Sequence, residues 1–403
     1  MSSADWQDIL NEFAQRKAAA QAMGGEKKLT KQRSNDRNDA RQRITALVDT
    51  NSFAEIGTLA GGLSWDGLPP APADGVITGT ALINSRPVAV LSEDFTVQGG
   101  SIGMAAHAKR LRLVSLAIQE RMPLVQMLEG AGERTSNGFQ RHPYAPNDMQ
   151  YMTQTCGVIP TVTVAMGASA GHGALSGLLA DFIIMVEGAA FFSAGPAIVK
   201  QSLGETVDKE GLGGAKLHTQ TSGVAHNRVT NETEAYTLIR DYLSYLPSHH
   251  RQAPPLTEGS HTQPRALHQL LDTLPRDQNK PYDVVSVIQQ LTDEGSFTQI
   301  QPDYGANIVV GLARLGGRSI AIVANQPAVL SGTINRAAAS KAARFIRMVD
   351  DFNVPIVFLA DNPGVLPGSA SEKDGTLLAA ADMFKAQSRM KSPKLHVTLR
   401  KAF

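Results

Sequence analysis

Residues 97–112 read VQGGSIGMAAHAKRLR, and residues 329–344 read VLSGTINRAAASKAAR. Val97, Gly100, Ile102, Ala105, Ala106, Lys109 and Arg112 meet Val329, Gly332, Ile334, Ala337, Ala338, Lys341 and Arg344 at one constant offset of 232 positions. The same offset runs outward without a gap, so that 79–132 lies on 311–364. It brings Gly79 to Gly311, Arg86 to Arg318, Pro123 to Pro355, Val125 to Val357 and Gly132 to Gly364. Fourteen identities in 54 positions exceed chance, and the chain carries a duplicated domain.

Each copy reads alike. Two apolar strands around a turn (Val76–Ile83 with Val88–Leu91; Ile308–Leu315 with Ile320–Ala324) precede a glycine-containing loop. A helix over about 103–120 follows, with Leu111, Val114 and Ile118 at helical spacing, and Pro123 closes it before the strand Leu124–Leu128. Pro355 and Ile356–Leu359 repeat that step, and Thr161–Ala165 is a further strand. Repeated strand–strand–helix units predict an α/β fold of stacked ββα layers in two tandem domains. No GxGxxG follows a strand to suggest a doubly wound dinucleotide fold. The stretch 247–282 is rich in Pro, His, Gln and Ser, which divides the chain into 1–250, a linker 251–282, and 283–403.

The bulk composition is that of an ordinary globular protein: 403 residues, 42% apolar, 19% charged, net charge +1. It calls for neither nucleic acid nor a membrane as partner. Lys27, Lys28, Lys31, Arg33, Arg37, Arg41 and Arg43 form a basic cluster broken by Asp36 and Asp39, read as a solvated helical face or else a docking surface. The lone Cys156 allows no intrachain disulfide and no CxxC zinc knuckle, and is expected to pack rather than react. No signal peptide or apolar run of membrane-spanning length is present, so a cytoplasmic location is expected, with the mitochondrial matrix as the other reducing option.

The sharpest local feature is Thr161–Gly177, TVTVAMGASAGHGALSG, a β-branched strand running through small residues into a helix-forming stretch. Backbone N–H groups at such a helix start can converge on one oxygen and stabilise an enolate or tetrahedral anion by about 3–4 kcal/mol per donor. Gly171 and His172 are the candidates; close strand–helix packing is the other account of the same small residues.

Several segments together resemble one family. These are Asp94–Ser101 (DFTVQGGS), Ala170-Gly171-His172-Gly173, Gly195–Lys200 (GPAIVK) and Leu212–Thr219 (LGGAKLHT) with Ser222–His226. In the second copy, Asn325-Gln326-Pro327 and Asp361–Gly368 (DNPGVLPG) complete the set. In this order, over about 25–403, the chain resembles the carboxyltransferase (β) subunits of biotin-dependent acyl-CoA carboxylases of the propionyl-, methylcrotonyl- and acetyl-CoA type. The resemblance implies a crotonase-like (ClpP/crotonase) fold in each half. The first half would bind the CoA ester, and the second half of a neighbouring subunit would bind biotin.

Carboxylate would move from carboxybiotin to the α-carbon of an acyl-CoA. The N–H groups of Gly171 and His172 would hold the enolate oxygen, and released biotin would take the α-proton. By position, Gly99, Gly100, Gly130, Ala131, Gly132, Ala170 and Gly173 would line the acyl-CoA side, and Asn362, Pro363, Gly364 and Val365 the biotin side. The implied cofactor is biotin on a partner protein, with no metal in this chain. The implied partners are the biotin carboxylase and biotin carboxyl carrier subunits, and further copies of the chain as dimers building a hexamer. A decarboxylase or transcarboxylase subunit of the same fold, or a non-catalytic acyl-CoA-binding assembly subunit, fits the same motifs.

Two departures stand out. The family's paired glycines are here Gly171-His172, and its SGGAR-like segment is Glu129-Gly130-Ala131-Gly132-Glu133-Arg134. Glu129 or Glu133 could serve as contact or base, though an ion pair with Arg134 is the expectation, and no His–Asp pair is apparent in the sequence. His218 and His226 read as hydrogen-bonded framework. Finally, Pro160 aligns with Pro393 and Ala170 with Phe403, so the counterpart of the Gly171-His172 turn would fall beyond Phe403. The second copy is therefore expected to be truncated, the sequence a fragment of a longer chain, and the fragment alone inactive.

Overall fold

A computed structural model describes residues 3–34, 37–61, 71–140, 147–258, 263 and 266–403. Two compact units emerge, Met1–Ala215 with Arg228–Thr237, and Lys216–Asn227 with Leu238–Phe403. Asp36 of the basic cluster, and 259–262, 264 and 265 of the expected linker, lie outside the described residues.

The strands of the first sheet are β1 (Ala54–Ile56), β2 (Val76–Ile83), β3 (Arg86–Glu93), β4 (Leu124–Gly130), β5 (Thr161–Ala170), β6 (Phe182–Val186), β7 (Ala190–Phe192) and β8 (Asn227–Val229). They run in the order β1-β2-β3-β4-β5-β6-β8, with β7 added to the far end of β5. β1, β2 and β3 are antiparallel neighbours, while β3 to β6 run parallel. β4 and β6 are buried along their whole length, as expected of parallel strands covered on both faces.

The second unit contains β9 (Thr298–Ile300), β10 (Ile308–Leu315), β11 (Arg318–Asn325), β12 (Ile356–Asn362) and β13 (Lys394–Ala402), in the order β13-β12-β11-β10-β9. Its pairing repeats that of the first sheet. Ala89 faces Leu124 and Ala321 faces Ile356, an offset of 232 on both strands. Leu124 faces Thr161 and Ile356 faces Lys394, so β13 is offset by 233 from β5. Both last pairs then slip at an irregularity, after Leu128 in one unit and after Ala360 in the other.

The repeat extends further back than the 232-residue offset shows. Leu47, Asp49, Ser52, Phe53 and Ile56 recur as Leu291, Asp293, Ser296, Phe297 and Ile300, now 244 positions apart. Asp39 caps the helix Ala40–Leu47, and Asp283 caps Val284–Leu291. Asp49 then accepts from the N–H groups of Asn84 and Ser85 at 3.0 and 2.7 Å. Asp293 accepts from Gly316 and Gly317 at the same two distances. All four turn residues have positive φ, the requirement of a two-residue hairpin turn that follows strand twist.

The repeated lysines are also accounted for. Lys109 Nζ, on the helix Met104–Glu120, donates to the carbonyls of Ala73 and Val76. Lys341 Nζ, on Arg336–Asp351, donates to those of Gln301 and Tyr304 at 3.1 and 2.7 Å. Burial lowers the first amine to about 8 and the second to about 7.

Three expectations change. The basic cluster is a solvated face only in part: Lys27, Lys28, Lys31 and Arg33 are exposed, whereas Arg37 pairs with Glu129 and Arg41 with Glu55. Arg43 is wholly buried between Glu129 and Glu232. Cys156 is exposed rather than packed in the core. The described part of 251–282 belongs to the second unit, where the Thr257 N–H reaches Gly317 O at 3.0 Å and Pro255 O accepts from Arg314.

Candidate active site

β3, β4 and β5 end at one level of the first unit, and the expected site residues gather there. The strands run past their predicted ends, β4 to Gly130 and β5 to Ala170. Ala131 N–H donates to Gly99 O at 3.0 Å, and Ile102 N–H to Gly132 O at 2.8 Å, tying the loop at 98–100 to the end of β4. Gly100 has no room for a side chain, because a Cβ there would lie 2.4 Å from Glu129 O. Gly132, with φ +83°, has a Cβ position 2.7 Å from Ala170 O, which draws β5 into the same group. Gly171, with φ +53°, opens the short helix Gly171–Gly177, followed by His172 and Gly173. The first N–H groups of a helix have no partner within it. Gly99, Gly100, Gly130, Ala131, Gly132, Ala170, Gly171, His172 and Gly173 are thus one neighbourhood.

Behind the turn lies a charged layer that the sequence did not reveal. His172 Nε2 is 2.7 Å from Asp148 Oδ1, and His107 Nδ1 is 3.1 Å from the same oxygen. The two imidazoles meet edge to face, with centroids 4.8 Å apart. Burial opposes ionisation of Asp148, but the bonds from His107 and His172, with Arg110 nearby, outweigh it and hold the carboxyl far below the usual range. Glu93, at the end of β3, accepts from Glu129 N–H at 2.6 Å and pairs with Arg110. Burial raises the Glu93 carboxyl, with Arg110 opposing.

The expected partner of Arg134 is corrected. Arg134 Nη1 bonds Asp74 at 2.6 Å and Nε bonds Ser101 at 3.2 Å. Glu133 instead stands 4.0 Å from both His107 and His172, and Glu129 is held by Arg37 and Arg43. The expectation that no His–Asp pair exists is also corrected, since Asp148 joins two histidines. His218 bonds Ser222 at 2.9 Å. His226 is buried, and burial together with Arg344 lowers its ring well below the usual histidine value.

In the second unit Asn362, Pro363, Gly364 and Val365 form one turn at the end of β12. Asn362 Nδ2 donates to Asn325 Oδ1 at 3.0 Å, and Asn362 Oδ1 accepts from Gly364 N–H at 2.9 Å. Ile334 N–H donates to Gly364 O at 3.0 Å, the counterpart of Ile102 to Gly132. A cleft of about 570 Å³ opens beside this turn, lined among others by Asn325, Ile334, Asn362, Met383 and Phe403.

Residues 31–403 match the family described as the carboxyl transferase domain. The chain belongs to that family. As a carboxyl transferase domain it is 40% identical over 375 residues to the biotin-dependent acetyl-/propionyl-coenzyme A carboxylase beta5 subunit of Mycobacterium leprae, covering 90% of this chain and 68% of that one. It is 37% identical to the methylmalonyl-CoA decarboxylase subunit alpha of Veillonella parvula, covering 96% and 77%. The crystal structure of transcarboxylase 12S, a hexamer assembly with methylmalonyl-coenzyme A and methylmalonic acid bound, superposes with a TM-score of 0.91. That match has 34% identity and covers 96% of this chain and 76% of that one. The carboxyl transferase domain is accordingly an α/β enzyme of the biotin-dependent acyl-CoA carboxyltransferase family. None of the helices among the described residues is long and apolar enough to cross a membrane.

Sequence reasoning missed His107, Asp148, Glu93 and Arg110. Asp148 is 41 residues from His107 and 24 from His172, so no local motif joins them.

Proposed function

We propose that this carboxyl transferase domain moves carboxylate from carboxybiotin to the α-carbon of an acyl-CoA, with the enolate oxygen held by the N–H groups of Gly171 and His172. The new C–C bond forms as the N–CO₂ bond of carboxybiotin breaks, and the α-proton ends on the released biotin nitrogen. The observation that carries this reading is the meeting of Gly99–Gly100, Gly130–Gly132 and Ala170–Gly171, where missing side chains let three backbone segments pack together beside the start of the helix Gly171–Gly177. The imidazole of His172 is turned onto Asp148, so the departure from paired glycines leaves the backbone donor in place.

Each unit is a crotonase-like repeat in this reading, supported by the shared pairing offsets. The first unit takes the CoA ester, and Asn362, Pro363, Gly364 and Val365 serve biotin carried on a partner. The partners are biotin carboxylase and carboxyl carrier subunits, with dimers building a hexamer as the assembly, in keeping with the hexameric transcarboxylase 12S. A decarboxylase role is the second reading, favoured by the likeness to the Veillonella parvula subunit.

The test is methylmalonyl-CoA-dependent carboxylation of free biotin, with CoA-ester binding measured in parallel. Carboxybiotin formation supports the proposal. Failure to bind any CoA ester overturns the assignment of the first unit, and binding without transfer by a chain extended to complete its second copy overturns the catalytic part.

A further inference from the structure

Three ligand atoms converge beside the Gly171–His172 turn. Asp148 Oδ1 faces His107 Nδ1 at 3.1 Å and His172 Nε2 at 2.7 Å. A carboxylate offers only lone pairs, so both of those ring nitrogens carry the hydrogen. In a neutral imidazole the opposite nitrogen then presents a lone pair. These two, His107 Nε2 and His172 Nδ1, lie 4.0 Å from Glu133 Oε1 and Oε2 respectively. The three ligand atoms are all within 4.8 Å of one another.

We propose that His107, Glu133 and His172 form a binding site for a divalent first-row transition cation of the zinc class, with Asp148 as the carboxylate that orients both histidines. The donor set suits such an ion, and three protein ligands leave a position for water. A histidine that binds metal through one nitrogen commonly gives its other N–H to a carboxylate, and here one aspartate does this for two rings. Tetrahedral ligands at about 2.0–2.1 Å from zinc stand about 3.4 Å apart, so the cluster closes on an ion by small side-chain movements.

His107 is buried and His172 partly so, while the Glu133 side chain is about one-third exposed, which gives the ion its way in. The ligands come from the helix Met104–Glu120, the segment after β4, and the helix Gly171–Gly177. A bound ion would clamp these three segments. The site is defined without reference to the carboxyl-transfer reading, and its test measures metal directly.

The experiment strips the full chain with a chelator and titrates it with Co²⁺, whose visible ligand-field bands report imidazole and carboxylate ligation. One equivalent, displaced by Zn²⁺, is expected. Glu133→Gln and His107→Gln should each weaken binding by about 10-fold or more, and Asp148→Asn by about 10–100-fold. Circular dichroism checks the fold of each variant, and the partly exposed Glu133 is the position where an isosteric change is best borne. Absence of a cobalt spectrum in the parent chain overturns the proposal. So does a spectrum that folded Glu133→Gln leaves unchanged, which would place the ion elsewhere, for instance at the adjacent His249 and His250.

Discussion

Nε2 of His172 stands 2.7 Å from Oδ1 of Asp148, so the histidine side chain is spent on the protein interior while its backbone N–H begins a helix. Side chain and backbone of one residue therefore have separable roles. His172→Ala keeps the N–H and should retain carboxyl transfer within about 10-fold. His172→Pro removes it within the first turn of the helix, where no intrahelical bond is lost, and should lower the rate by about 10²–10³-fold. Reverse carboxylation of biotin measures both. Equal damage from the two changes would assign the role to the imidazole instead.

Gly132→Ala tests the close approach of β4 and β5. The new methyl would sit 2.7 Å from Ala170 O on a backbone with φ +83°. A loss of about 1–3 kcal/mol is expected, with weaker CoA-ester binding. Denaturant titration and calorimetry read the two effects; unchanged stability would mean that the turn relaxes freely.

Arg43→Ala should be the most damaging of the basic-cluster substitutions. It takes the arginine from Glu232 and leaves Glu129 with Arg37 alone, and removal of one partner from a buried ion pair costs about 3–5 kcal/mol. Lys28→Ala, an exposed change in the same cluster, is expected to stay within about 0.5 kcal/mol. Urea midpoints of the two variants decide whether the cluster is structural.

Lys341 makes stability depend on pH. Its amine is lowered to about 7 by burial, against 10.5 for the ordinary group. Between those values the unfolded chain holds the proton that the folded chain has released, so stability rises with pH across this window. The slope attributable to the lysine is at most on the order of 1 kcal/mol per pH unit. Below about pH 7 both states are protonated and the dependence disappears. Unfolding midpoints between pH 6 and 10 in the parent and in Lys341→Met should differ in slope; parallel curves would refute the assignment.

The strand bounds at Val76–Ile83 and Ile308–Leu315 were legible because short, largely apolar runs sit between clear turn residues. The further reach of β5 was not, since Gly167, Ala168 and Ala170 have weak strand preference and are fixed by pairing instead. The glycines of the candidate site were legible as breaks in pattern. The charged layer was not, because its partners are distant in sequence: Arg43 and Glu232 are 189 residues apart. The recurrence of Asp49 and Phe53 as Asp293 and Phe297 escaped a single-offset comparison because the spacing changes between 56 and 79.

The aspartate-clasped turn at Asn84–Ser85 opens a practical route. β3 starts at this turn and finishes beside the glycine cluster, a run of eight residues or about 26 Å. Asp49 engages only the backbone N–H groups there, and both turn side chains point outward. A dye or surface tether attached through Ser85→Cys, in a background with Cys156→Ser, would thus mark the first unit at the edge opposite its chemistry. It gives single-molecule work a handle that leaves the proposed pocket unobstructed.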